Sequence, residues 1–189
     1  MSAPNKIINV LAISGSLRKQ SANSGLVRYA MKIGNSRNDV SISTFDIGKL
    51  PLFNEDLNDD APEVVKQWRE AVKKADAIFI ASPEYNYSMT AALKNALDWA
   101  SYGTNLWKGK VGAIVGTGGG AGTARSQLAL RQTSVFLDIT YVNSPEVLIN
   151  RFADASVFDS NGNLVGEVWQ ERVENIFDRM IRLATKMSS

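Results

Sequence analysis

Apolar residues fall into two alternating rhythms along this chain. Residues 7–13 form a short β-branched run, the pattern of a strand buried on both faces. Leu26, Ala30 and Ile33 then recur at helical spacing. Residues 40–45 alternate in polarity, as a strand nearer a sheet edge would. An acidic loop at 51–62 ends in Pro62, which suits a first helical turn. Val64, Trp68, Ala71, Val72 and Ala75 share the next helical face. Residues 77–81 read as a buried strand stopped by Ser82-Pro83, and Ala92, Leu93, Ala96, Leu97 and Ala100 as a helix after it. A fourth strand is predicted at 111–115 and a helix over about 123–136. Residues 139–142, continuing through 147–149, give the fifth strand. The polar turn 159–163 precedes a last helix carrying Trp169, Val173, Ile176, Phe177, Met180 and Ala184.

Strands and helices in strict alternation predict an α/β fold: a five-stranded parallel sheet with helices on both faces. Right-handed crossovers leave few topologies; the strand order 2-1-3-4-5 is expected over a dinucleotide-type order because of the loop motifs described below. With no repeat and no linker, residues 1–189 read as one domain. In such sheets ligands lie beyond the carboxyl ends of the strands, where strand order reverses. Three loops should converge there: 14–24, 83–88 and 117–123. All three are rich in small, hydrogen-bonding residues.

Composition narrows the chemistry. The chain has no Cys and no His. That removes disulfides, thiolate nucleophiles, the Ser–His–Asp triad and the commonest metal ligands, so no metal site is expected. Any reaction must run on carboxylates, hydroxyls, Lys, Arg, backbone groups or a bound cofactor. A net charge of +2, from 21 basic and 19 acidic residues, speaks against a nucleic-acid partner. No stretch approaches the roughly 18 apolar residues of a membrane span, and 7–13 is too short for a signal peptide, so a cytoplasmic protein is expected.

The first loop reads Gly15-Ser16-Leu17-Arg18-Lys19-Gln20-Ser21-Ala22-Asn23-Ser24. A phosphate dianion needs many donors and little bulk, and a helix N-terminus supplies both unpaired N–H groups and a positive dipole end. Ser16, Ser21, Asn23 and Ser24 add neutral donors, and Arg18 a charged planar fork. An ordinary N-cap would explain one such residue. The loop resembles the Gly-Ser-x-Arg-x-x-Ser-x-Asn signature of the NADPH-dependent FMN reductases, a flavodoxin-like family that includes chromate and quinone reductases. Pro83-Glu84-Tyr85-Asn86 and Leu93-Lys94-Asn95-Ala96-Leu97-Asp98-Trp99 resemble two further motifs of the same family.

The resemblance implies a flavodoxin-like three-layer sandwich binding FMN. Its phosphate would lie on the first loop and its ring along Pro83, Glu84, Tyr85 and Asn86, with Thr117 and Gly118 of the glycine-rich third loop beside it. Glu84 either touches the flavin or braces the loop or a subunit interface. Asp98 and Trp99 read as structural. NADPH or NADH would donate a hydride, and quinones, chromate, azo compounds or free flavin would accept it. Arg125 would meet an anionic substrate or lie in a subunit interface, with Glu146 as its partner. A homodimer or homotetramer is implied, with Tyr102 and Trp107 as candidate interface residues. Two other readings are weaker. Gly116-Thr117-Gly118-Gly119-Gly120-Ala121 matches a dinucleotide fingerprint, with Asp138 as its acidic residue, but it follows the wrong strand. A single-electron carrier would share fold and cofactor, yet such carriers are strongly acidic.

Overall fold

A computed structural model describes residues 6–188; the two ends of the expected 1–189 domain, residues 1–5 and 189, lie outside the described residues. The chain runs β1 (Ile8–Ser14), α1 (Ala22–Asn35), β2 (Val40–Thr44), α2 (Glu63–Lys74), β3 (Ala77–Ala81), α3 (Ala91–Trp99), β4 (Val111–Gly118), α4 (Ala124–Leu137), β5 (Thr140–Tyr141), β6 (Val147–Asn150) and α5 (Glu167–Met187). All strand pairs are parallel, in the order β2-β1-β3-β4-β5, with β6 also on β4. This is the flavodoxin-like order that the resemblance implied.

The pleat sorts each strand's side chains onto two cores. Val10 and Ala12 of β1, with Phe79 and Ala81 of β3, face α1 and α5 through Leu26, Ala30, Ile176 and Phe177. Leu11, Ile13, Ile78 and Ile80 face α2, α3 and α4 through Trp68, Val72, Leu93, Leu97 and Leu130. Three buried indoles sit on this second side, and each N–H finds a carbonyl: Trp68 that of Ala96, Trp99 that of Pro51, Trp107 that of Leu97.

The predicted fifth strand is corrected to two segments. β5 pairs with the start of β4 (Val111↔Thr140, Gly112↔Tyr141), and β6 with its end (Val115↔Val147 to Gly118↔Asn150). Val142 N–H still donates to the Gly112 carbonyl, residues 143–146 then leave the sheet, and Pro145 has no N–H with which to continue a ladder. The pairing with β6 also carries β4 beyond residue 115. Thr117 and Gly118, expected in a loop, therefore end a strand.

Candidate functional site

The first crossing is pinned on three sides. Gly15 N–H donates to the Ala81 carbonyl at 2.8 Å, and a Cβ at Gly15 would lie 2.6 Å from the Ser82 hydroxyl oxygen. A larger residue here would push on the Ser82 side chain where the first and second site loops meet. Thr90, which caps α3 by accepting from Leu93 N–H, donates its own hydroxyl to the Gly15 carbonyl at 2.7 Å. Ser21 caps α1, its hydroxyl oxygen accepting from the Asn23 and Ser24 backbone. Ser16 is buried, and its hydroxyl accepts from the Arg18 N–H.

Asn23 is only 4 % exposed. Its Nδ2 donates to the Thr117 carbonyl at 2.9 Å, and its Oδ1 accepts the Thr117 N–H at 3.0 Å. The side chain expected among the phosphate donors is thus engaged in strapping the first crossing to the end of β4. The Ser24 hydroxyl meets that of Ser14 at 2.9 Å.

The second crossing is a tight turn. Tyr85 and Ser88 exchange backbone hydrogen bonds, while Asn86 and Tyr87 take φ of 49° and 65°, as the central residues of a type I′ turn. Glu84, before it, has a nearly buried carboxylate. Oε2 accepts the N–H groups of Arg125 and Ser126 at 2.9 and 3.2 Å, and Oε1 meets Arg125 Nε at 2.5 Å. The carboxylate thereby caps α4 from another loop, where the dipole favours negative charge; Thr123 at the cap position makes no side-chain cap bond. The Arg125 guanidinium also lies 3.8 Å from the centroid of the Tyr87 ring.

These crossings enclose a cleft of about 380 Å³, within the range of small-molecule sites. Ser16, Arg18, Ser21, Asn23, Pro83, Glu84, Tyr85, Thr117 and Gly118 line it, as the sequence led one to expect. Ser24 and Asn86 do not border it. Glu146 is corrected: Arg125 pairs with Glu84, and exposed Glu146 offers its backbone carbonyl to Arg172. Trp107 is corrected too, being fully buried in the second core. Asp138 adopts a left-handed conformation at the end of α4, with its carbonyl accepting from Gly109 N–H. It ends a helix, whereas the dinucleotide fingerprint would place it at the end of a strand.

Arg151 and Phe152 also line the cleft, and the sequence reading passed over them. They follow β6 directly, and a residue just past a strand's carboxyl end is a site candidate in this fold. Taking 147–149 as the tail of another strand hid that position.

One atom of the cleft tests whether a cofactor belongs there. The Thr117 hydroxyl is buried and has no hydrogen-bond partner among the described residues. Buried hydroxyls are nearly always satisfied, so this one fits a ligand that supplies the missing partner. Neutral donors, an arginine and a helix N-terminus at one end, with a glycine and tyrosine at the other, match a phosphate joined to a flat ring. The residues present fit FMN.

Known proteins agree. The family model described as NADPH-dependent FMN reductase matches residues 8–154. The NADPH:quinone oxidoreductase of Arabidopsis thaliana is 48 % identical over 179 residues, spanning 93 % of this chain and 91 % of that protein. An NAD(P)H-dependent FMN reductase of Pseudomonas aeruginosa is 45 % identical, covering 88 % of this chain and 90 % of its own. Among solved structures, the flavoenzyme NAD(P)H:(acceptor) oxidoreductase of Paracoccus denitrificans superposes with a TM-score of 0.84 at 32 % identity, over 96 % of this chain and 99 % of that one. The chain belongs to the NADPH-dependent FMN reductase family, and it is an FMN-dependent enzyme that takes electrons from NAD(P)H and passes them to small acceptors.

Proposed function

We propose that the physiological acceptor is a quinone, reduced by two electrons at the same open cleft that the nicotinamide uses before it. Bound FMN supplies the chemistry of accepting a hydride and giving it up. The chain's own residues supply position and electrostatics. Ser16, Arg18, Ser21 and the N-terminus of α1 would hold the phosphate. Asn23 would hold Thr117 in place, and Thr117 and Gly118 would border the ring. Pro83 and Glu84 would fix the turn that sets Tyr85 at the mouth.

The observation that carries the reading is the aromatic mouth. Tyr85 and Phe152 border the cleft while remaining 55 % and 81 % exposed, which leaves flat apolar surface facing whatever enters. A planar quinone suits that mouth better than a chromate ion does. Relatives from Arabidopsis thaliana and Solanum tuberosum carry quinone oxidoreductase names.

An absorbance spectrum followed by anaerobic addition of NADPH tests the scheme. The purified protein should be yellow, NADPH should bleach it, and benzoquinone should restore the colour. Its kcat/KM should exceed those for chromate, an azo dye and free flavin. A colourless protein that takes up no FMN, or a loaded one that NADPH leaves yellow, would overturn the scheme. Faster turnover of chromate would overturn the choice of acceptor.

Self-association into a dimer or tetramer belongs to the same reading. Leu128, Val135 and Phe136 stand 66 %, 87 % and 75 % exposed on α4, apolar surface that a second copy would cover. Light scattering should give a multiple of the chain mass, falling to the chain mass for the Val135→Asp/Phe136→Asp double variant.

A further inference from the structure

Beside the cleft lies a second cavity of about 280 Å³. The two share Arg18, Ala22 and Arg151, but Ser16, Ser21 and Asn23 face only the first, and Gln20, Asp159 and Ser160 only the second. Its far wall is the turn 159–163, which is keyed to the first helix. Gly162 packs so tightly on α1 that a Cβ at Gly25 would fall 1.7 Å from its carbonyl oxygen, and Arg28 reaches Asn163 Oδ1 and the Asn161 carbonyl. This wall is therefore built, not a loose flap.

Arg18 and Arg151 are exposed, and neither guanidinium has an ion-pair or hydrogen-bond partner among the described residues. Arg28, Arg37, Arg69, Arg125 and Arg131, by contrast, each hold an oxygen. The acid of the cavity is already engaged. Asp159 accepts the N–H groups of Asn163 and Asn161 at 2.8 Å each, and the first of these above all holds its carboxyl below the usual range. An anion entering the cavity would settle at the arginine end, leaving Gln20 and Ser160 for hydroxyls.

With the flavin phosphate placed on Ser16, Ser21 and α1, one arginine suffices for the first cleft, and the second is surplus to it. The second cavity falls below the roughly 300 Å³ floor of whole-ligand pockets, so it suits a fragment. We propose that it receives the phosphorylated ribose of the nicotinamide dinucleotide, with Arg151 gripping the 2′-phosphate that distinguishes NADPH from NADH. A planar guanidinium fork matches a phosphomonoester. The inference rests on the flavin occupying the first cleft.

Calorimetry on FMN-loaded protein tests it, using adenosine 2′,5′-bisphosphate, AMP and ADP as probes. The bisphosphate should bind at least about tenfold more tightly than AMP or ADP, the effect of one charge-assisted contact. Arg151→Ala should erase that preference while the FMN dissociation constant changes less than about threefold, and Arg151→Lys should restore part of it. Ala155→Glu, which puts a carboxylate in the cavity lining, should erase it independently should Arg151→Ala fail to fold. Equal binding of bisphosphate and AMP, ADP matching the bisphosphate, or a preference that survives both variants would overturn the proposal. So would an Arg151→Ala protein that releases FMN as readily as Arg18→Ala, because Arg151 would then serve the flavin phosphate. Protein that never takes up FMN would instead refute the reading of the first cleft, a result read before any nucleotide is added.

Discussion

Asn23 grips the Thr117 peptide with both ends of its side-chain amide. Residues far apart in sequence are thereby joined across the floor of the cleft. Asn23→Asp removes the donor and faces the Thr117 carbonyl with a second oxygen. A buried acceptor left unpaired costs about 1–3 kcal/mol. The variant should lose about that much stability in urea unfolding, and its FMN dissociation constant should rise about tenfold or more.

Thr117→Val separates the apo and loaded proteins. The hydroxyl has no partner among the described residues, so replacing it with a methyl of similar shape should leave the FMN-free protein as stable or slightly more so. In the loaded protein the same change should weaken FMN retention by about tenfold, measured by flavin fluorescence quenching. Unchanged retention would mean the hydroxyl never meets the flavin.

Arg18 and Lys19 are neighbours of like charge, but Arg18 lines both the cleft and the cavity beside it, and Lys19 lines neither. Arg18→Ala should loosen FMN by at least about tenfold, the scale of one charge-assisted contact. Lys19→Ala should have little effect. Equal effects would show that the loop attracts phosphate by net charge alone.

Glu84 supplies α4 with the cap its own residues lack. Glu84→Gln keeps the shape but loses the charge on the bonds to Arg125 and Ser126. A loss of about 1–3 kcal/mol is expected in urea unfolding, together with increased hydrogen exchange at the first turn of α4. Retained exchange protection would show that α4 is held by packing alone.

Burial, and after it the hydrogen bond to Glu174, pushes the Tyr29 phenol up to about 12. An unfolded chain's tyrosine titrates near about 10. The folded form thus gains stability that is complete below about pH 10 and is lost as pH rises through 12. The stability of the wild type relative to Tyr29→Phe should decline across that interval, followed by urea midpoints at each pH.

The sheet was legible because its central strands β1, β3 and β4 are buried on both faces and read as apolar runs, while the helices between them keep a 3.6-residue period. Most of the cleft was legible too, because its loops repeat small polar residues immediately after those runs. What could not be read was how polar groups are spent once they meet. Asn23 and Ser21 look alike as donors in the sequence, yet one straps a distant peptide and the other caps its own helix. Charge pairing was equally hidden: Arg125 could meet many acids, and only folding brings Glu84 to it. Trp107, near the end of the third helix and apolar enough for a subunit interface, instead fills the core against Trp68.

The interruption at 143–146 makes the final edge of the sheet two independent joints. In an unbroken strand, deleting one residue turns every later side chain to the opposite face. Here a change of length between Val142 and Glu146 would be absorbed where no ladder runs, leaving Tyr141 on Gly112 and Val147 on Val115. The segment that ends in Arg151 and Phe152 can therefore tolerate insertions upstream without surrendering its own alignment.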